Sequence, residues 1–136
     1  MGKKKIVADT NIMISALGWK GKPRELFKRI LNKEFELITS QKQIEELHRV
    51  MNYTKFKFSE EQKIRFISLL FEIAQVIEVP DKLKVIKEDS KDNFLLETAV
   101  LSGAEYIISG DEHLLKLKKY LGTKITTIAQ FFRNLY

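Results

Sequence analysis

The chain has 136 residues, 44% of them hydrophobic and 31% charged, with no cysteine, and its 24 Lys and Arg against 18 Asp and Glu give a formal charge of +6. These values describe one globular domain, long enough to bury a core unaided, and they exclude a disordered chain, a disulfide scaffold and a thiolate metal site. A basic balance suits a polyanionic partner such as nucleic acid, and equally suits a merely well-solvated surface.

Taken in chain order, the basic start Lys3-Lys4-Lys5 precedes a three-residue apolar run, Ile6-Val7-Ala8. That run is too short for a signal peptide or a membrane span, so a cytoplasmic protein with no membrane association is expected. It reads as a buried strand, followed by a short helix over 11–17 and a loop over 18–22 that holds Trp19. Pro23 opens a helix with Leu26, Phe27, Ile30 and Leu31 at helical spacing. Residues 35–38 read as a second strand. Thr39 or Ser40 caps a helix running to about Met51. Ser59 and Gln62 form a capping-box pattern, with Glu60 and Glu61 suited to the first turn of the next helix. A strand over 76–79 ends at Pro80. Asp89 or Ser90 caps a helix to about Ser102, with Gly103 as its stop. Residues 106–108 form a fourth strand, a short helix begins at Gly110-Asp111, a fifth strand lies over 124–126, and the last helix spans 128–135.

Strands alternating with helices predict an α/β fold, a three-layer α/β/α domain around a parallel sheet of about four to five strands. Such a sheet presents its ligand groups at the carboxyl ends of its strands. Asp9 directly follows the first strand, and Asp111 follows the fourth after Ser109 and Gly110. Asp92 lies in the first turn of the helix after the third strand. It shares a helical stripe with Leu95, Leu96 and Ala99, an unfavourable place for a carboxylate that has no partner. The competing reading of Asp92 is a first-turn acid that answers the helix dipole, although Asp89 can serve as the cap. Glu46 flanks the buried face marked by Ile44, Leu47 and Met51, where it is either a site acid or a solvated flank.

Converging carboxylates repel one another, and a divalent cation relieves that repulsion. Mg²⁺ or Mn²⁺, hard ions with oxygen ligands, suit such a set and can activate water against a phosphodiester.

Four segments resemble the acidic motifs of PIN-domain nucleases: Val7-Ala8-Asp9-Thr10-Asn11, Glu45-Glu46-Leu47-His48-Arg49-Val50, Asp89-Ser90-Lys91-Asp92-Asn93-Phe94-Leu95 and Ser109-Gly110-Asp111-Glu112-His113-Leu114-Leu115. Their order and spacing agree with that family over nearly the whole chain. The resemblance implies an Mg²⁺- or Mn²⁺-dependent endoribonuclease acting on single-stranded RNA, commonly a homodimer, and in many small bacterial and archaeal members a VapC-type toxin held inactive by an antitoxin. It maps the catalytic, metal-ligating set onto Asp9, Glu46, Asp92 and Asp111. It also gives Asp89 an outer-shell place, lets Asn11 orient Asp9, and puts Ser109 where the family has a supporting hydroxyl. One departure stands out. Where many relatives have a further Asp, two residues after the fourth acid, this chain has His113, a less typical Mg²⁺ ligand.

A non-catalytic RNA- or protein-binding module on the same fold is the alternative. A phosphatase or signalling-receiver reading fails because Thr10-Asn11 supplies no second acid beside Asp9, and a nucleotide-binding enzyme is disfavoured by the lack of a Gly-rich phosphate loop. Among the remaining features, Trp19 suits base stacking, a subunit interface or simple packing. The alternation over 53–58 is expected to pack on one side and solvate the other, although its aromatics and lysines also suit single-stranded RNA. Lys116, Lys118 and Lys119 read as a solvated patch, and His48 as an interior histidine.

Overall fold

The computed structural model describes residues 3–79 and 90–135, with the side chains of residues 90–93 outside that description. Among these, six strands form one sheet in the order β3-β2-β1-β4-β6-β5. The first five positions in that order are mutually parallel, and only the β5–β6 pair is antiparallel. The strands are β1 Lys4–Ala8, β2 Phe35–Ser40, β3 Ala74–Ile77, β4 Tyr106–Ile108, β5 Lys119–Tyr120 and β6 Thr123–Thr126. The helices are α1 Thr10–Gly18, α2 Lys22–Leu31, α3 Gln41–Met51, α4 Glu60–Ile73, α5 Ser90–Ser102, α6 Glu112–Leu115 and α7 Ile128–Arg133.

Strand alternation splits the interior in two. Ile6 and Ala8 of β1, with Tyr106 and Ile108 of β4, face a core closed by Met13, Leu26, Leu47, Leu70 and Phe131. Val7 and Ile107, from the same two strands, face a second core closed by Leu95, Leu96, Ala99 and Leu114. The sheet is therefore the middle of three layers, as expected, with α5 on one face and α1, α2, α3, α4 and α7 contributing to the other.

Local signals set the element ends. Ser59 and Gln62 form the expected reciprocal cap of α4, and Thr127 with Gln130 forms a second one at α7 that was not anticipated. Gly103 follows α5 at φ +71°, a conformation that favours glycine.

Three expectations need adjusting. β3 begins two residues early, at Ala74, because its pairing with Leu37 to Ser40 of β2 draws the chain into the sheet straight off α4. A sixth strand, β5, turns back on β6 through Leu121 and Gly122, both at positive φ (46° and 90°). Two consecutive positive φ values make the tight hairpin turn whose twist matches the strands, but a leucine in the first position hides it from a reading of turn residues. His48 is exposed, not interior. The buried stripe of α3 is centred on Leu47 and includes the polar Gln43, so His48, about 100° further round the helix, falls outside it.

Candidate active site

The direction of strand progression reverses beside β1. The chain moves outward from β1 to β2 and β3, then crosses to the other side of β1 for β4. Crossovers on either side leave a crevice at the carboxyl ends of β1 and β4, the switch point at which open α/β sheets bind ligands. Asp9 emerges from one of these strands, and Ser109 through Asp111 from the other.

Asp9 continues the ladder, its N–H donating to the Ile108 carbonyl at 3.0 Å. Its side chain also caps α1, with Oδ1 accepting from the Ile12 N–H at 2.9 Å. The second oxygen, Oδ2, accepts from the Ser109 hydroxyl. Only 7% of Asp9 is exposed. Burial pushes its carboxyl above the ordinary aspartate value; the bonds from Ser109 and from the backbone of Ile12 and Gly110 act the other way, and the negative charge of Asp111 adds to the rise.

Ser109 is wholly buried and links two acids. It donates to Asp9 and accepts from the Asp111 N–H at 3.0 Å. Asp111 caps α6, its Oδ1 accepting from the His113 N–H at 2.7 Å. His113 thus meets the site through its backbone, and its ring is at an exposed position.

Glu46 reaches the same region from α3. It accepts from the hydroxyl of Thr10, the residue next to Asp9, and pairs with Arg49 at 3.9 Å. Its side chain is 12% exposed, so the flank of α3 is turned inward here. Behind it stands Gln43, a residue the sequence reading did not single out. Gln43 is buried, donates to the Ala8 carbonyl at 2.6 Å and accepts from Thr39 at 2.6 Å. It fastens α3 to the last residue of β1, immediately before Asp9. Its signal in the sequence was a polar residue three before Glu46 and four before Leu47, on the edge of the apolar stripe.

Asn11 is exposed on α1, and the described partners of Asp9 are Ile12, Gly110 and Ser109. Asp92 is placed in the first turn of α5 by the helix bounds, but its side chain is outside the described set, and Asp89 lies outside the described residues altogether. Among the described residues, no three carboxylates or imidazoles are gathered closely enough to form a ready-made metal cage. The donor chemistry nevertheless suits a hard divalent ion: carboxylate and hydroxyl oxygens, with Asp9 buried and within the field of Asp111. At the same sheet edge, the buried Thr126 hydroxyl has no hydrogen-bond partner among the described residues.

An open α/β sheet with buried and half-buried acids at its switch point defines a class of ligand-binding domain. Within that class, the sequence profile of the PIN domain family matches residues 5–113, a span that contains Asp9, Glu46, Asp92 and Asp111. The chain belongs to the PIN domain family. Among solved structures it is similar to VapBC2 from Rickettsia felis bound to a DNA fragment from their promoter, at 15% identity and a TM-score of 0.61 over 89% of this chain and 96% of that one. It is also similar to PAE2754 from Pyrobaculum aerophilum, at 16% identity and a TM-score of 0.56 over 96% of this chain and 88% of that one. No curated protein matches the chain.

Proposed function

We propose that this PIN domain is a metal-dependent endoribonuclease that hydrolyses RNA phosphodiester bonds. The observation that carries the proposal is the Asp9–Ser109–Asp111 arrangement at the β1/β4 crevice, with Glu46 tied in through Thr10. Asp9, Glu46 and Asp111, with Asp92 as the fourth acid, are the residues that would hold Mg²⁺ or Mn²⁺; the ion when bound supplies an activated water and offsets charge on the phosphate. The chain's own residues do the positioning. Ser109 fixes the rotation of Asp9, Thr10 orients Glu46, the backbone of His113 holds Asp111, and burial of Asp9 raises its affinity for any cation that shields it.

The test is incubation of purified protein with labelled single-stranded RNA in Mg²⁺, in Mn²⁺ and in EDTA, beside Asp9→Asn and Asp111→Asn. Cleavage that needs the metal and is lost in both variants is the expected result. Cleavage that persists in EDTA and in both variants marks a contaminant and removes the support for a nuclease.

His113, standing where many relatives carry a further Asp, supports a second reading, a binding module that does not cut. Calorimetric titration with Mn²⁺ separates the two, since a binding module shows neither uptake of the ion nor cleavage.

We further propose a cytoplasmic, homodimeric toxin restrained by an antitoxin protein; the likeness to the Rickettsia felis VapBC2 structure supports the toxin–antitoxin part alone. Among the described residues, no helix is long and apolar enough to cross a membrane. Induced expression should arrest growth with the wild-type chain and not with Asp9→Asn. Equal growth of the two would count against a toxin, and sedimentation of the purified chain would decide the dimer.

A further inference from the structure

α1 and α3 both lead away from the acidic site to one exposed aromatic cluster. Trp19 follows the end of α1, and its ring meets Phe56 and Phe58 edge-on at 6.2 and 6.3 Å between centroids. Phe58 and Phe56 lie nearly parallel at 5.4 Å, and Tyr53 continues that ladder beyond Phe56 at 6.5 Å. Gly18 permits the arrangement, because a Cβ there would stand 3.0 Å from the Phe58 ring. Phe56 and Phe58 are partly buried against the core, yet Trp19 remains 54% exposed and Tyr53 43%. Packing accounts for the two phenylalanines; it does not account for an indole and a phenol left at the surface in one group.

The two segments that carry the cluster are basic, and the acids Glu60 and Glu61 begin only at the first turn of α4. Residues 10–24 and 47–59 contain no Asp or Glu, and they carry Lys20, Lys22, Arg24, Arg49, Lys55 and Lys57. Removing these six from the 24 Lys and Arg leaves 18, equal to the 18 Asp and Glu of the whole chain, so the entire formal charge of +6 resides in these two segments. Lys20, Lys22, Lys55 and Lys57 are exposed, and Lys55 Nζ stands 5.1 Å from the centroid of Phe56. Rings with open faces stack bases, and a surrounding field of lysines holds the phosphates between them. A protein partner would prefer a patch depleted of lysine.

We propose that Trp19 and Tyr53, with Lys20, Lys55 and Lys57, form a subsite that grips single-stranded RNA away from the acidic centre. At about 1.5 Å per residue, the ten positions from Asp9 to Trp19 place the subsite roughly 15 Å from the acids. A strand stacked on Trp19 runs along α1 and past Arg49, which is 56% exposed beside Glu46, to reach the acidic crevice. The subsite sets which stretch of a strand lies over the acids, and it deepens the ribonuclease reading on which it rests.

Trp19 is the sole tryptophan of the chain, so its fluorescence reports on the subsite directly. The experiment titrates the full chain with a short oligouridine in EDTA, where cleavage plays no part, following Trp19 emission and the anisotropy of the labelled RNA together. The expected result is quenching that tracks binding. Lys55→Glu/Lys57→Glu, at two exposed positions that leave the fold intact, should weaken binding about tenfold or more and lower the salt slope by about two. Tyr53→Ala should weaken binding at least about fivefold.

Binding that leaves Trp19 emission unchanged and is indifferent to the lysine substitutions overturns the subsite, as does the absence of binding. Emission that shifts with protein concentration alone, together with a Trp19→Ala variant that sediments as a monomer where the wild type does not, also overturns it in favour of a protein interface. The two readings fail separately. RNA held at Trp19 with no cleavage in any metal refutes the nuclease and leaves the subsite standing, while cleavage unaffected by the lysine and tyrosine substitutions does the reverse.

Discussion

Asp9 caps a helix and extends a strand ladder, and the proposed function gives it a third duty as a site carboxylate. Its raised pKa means that the folded chain holds the Asp9 proton more tightly than the unfolded chain does. Its contribution to stability is therefore best in acid, and it declines as pH rises from the ordinary aspartate value, about 3.9, through the raised one. Asp9→Asn keeps the cap, since asparagine serves there equally well, and removes the buried charge. In EDTA the variant should melt above the wild type at neutral pH, with the gain vanishing below about pH 4. A variant no more stable than wild type at pH 7 would show that the bonds from Ser109 and Ile12 outweigh desolvation. Adding Mn²⁺ should reverse the order. An ion at a hundred times its dissociation constant adds about 2.7 kcal/mol to whichever chain binds it, and differential scanning fluorimetry would show that rise in the wild type alone. Ser109→Ala deletes a donor to Asp9 and an acceptor for Asp111 in one step. It should cost about 1–3 kcal/mol in urea unfolding and about 10–100-fold in Mn²⁺ affinity. An unchanged affinity would reduce Ser109 to a structural residue. Asp9 was legible in the sequence because an apolar run ended on it. Ser109 was legible as a supporting hydroxyl through the motif it belongs to, but its pairing with Asp9 spans 100 residues, and no local pattern names that partner.

At the scale of elements, the capping signals and apolar stripes read well. Ser59 with Gln62 fixed the start of α4, and the stripe of Leu95, Leu96 and Ala99 is buried as its spacing required. Failures came where a local cue was overruled or lacking. Gln43 sits inside because the Ala8 carbonyl and the Thr39 hydroxyl satisfy it, a condition known only once α3 lies against β1. Ile44, Leu47 and Met51 are buried as expected, but Gln43 joins them on that face and His48 stays outside it. Gln43→Leu should cost about 2 kcal/mol in urea unfolding, because it strands a buried carbonyl and a buried hydroxyl. It should also lower metal affinity, through the Ala8–Asp9 link. A neutral effect on both would mean that water replaces the amide. The β5–β6 hairpin escaped notice for the opposite reason: its turn places Leu121 at φ 46°, where asparagine, aspartate or glycine is the usual signal.

At the scale of the molecule, alternation of strands and helices was sufficient to specify three layers, and the order of strands then located the crevice. The two cores share one sheet between them. Such an arrangement should unfold as a unit, so urea transitions followed by Trp19 emission and by far-ultraviolet circular dichroism are expected to coincide. Separate midpoints would divide the chain into independently stable parts. Composition gave a charge of +6 but no hint of where it lay, since counting residues discards position. The positions of the residues show two basic segments, and the fold then brings those segments, at the ends of α1 and α3, to one surface.

The bond between Asp9 and Ser109 also has a bearing on biosynthesis. Ribosomes deliver a chain from its amino terminus, so Asp9 emerges 100 residues before the hydroxyl that supports it. β1 has no β4 to pair with until then. A truncated or interrupted product, however well it forms α1 to α4, therefore lacks the crevice altogether. The crevice forms only when both halves of the sheet are present.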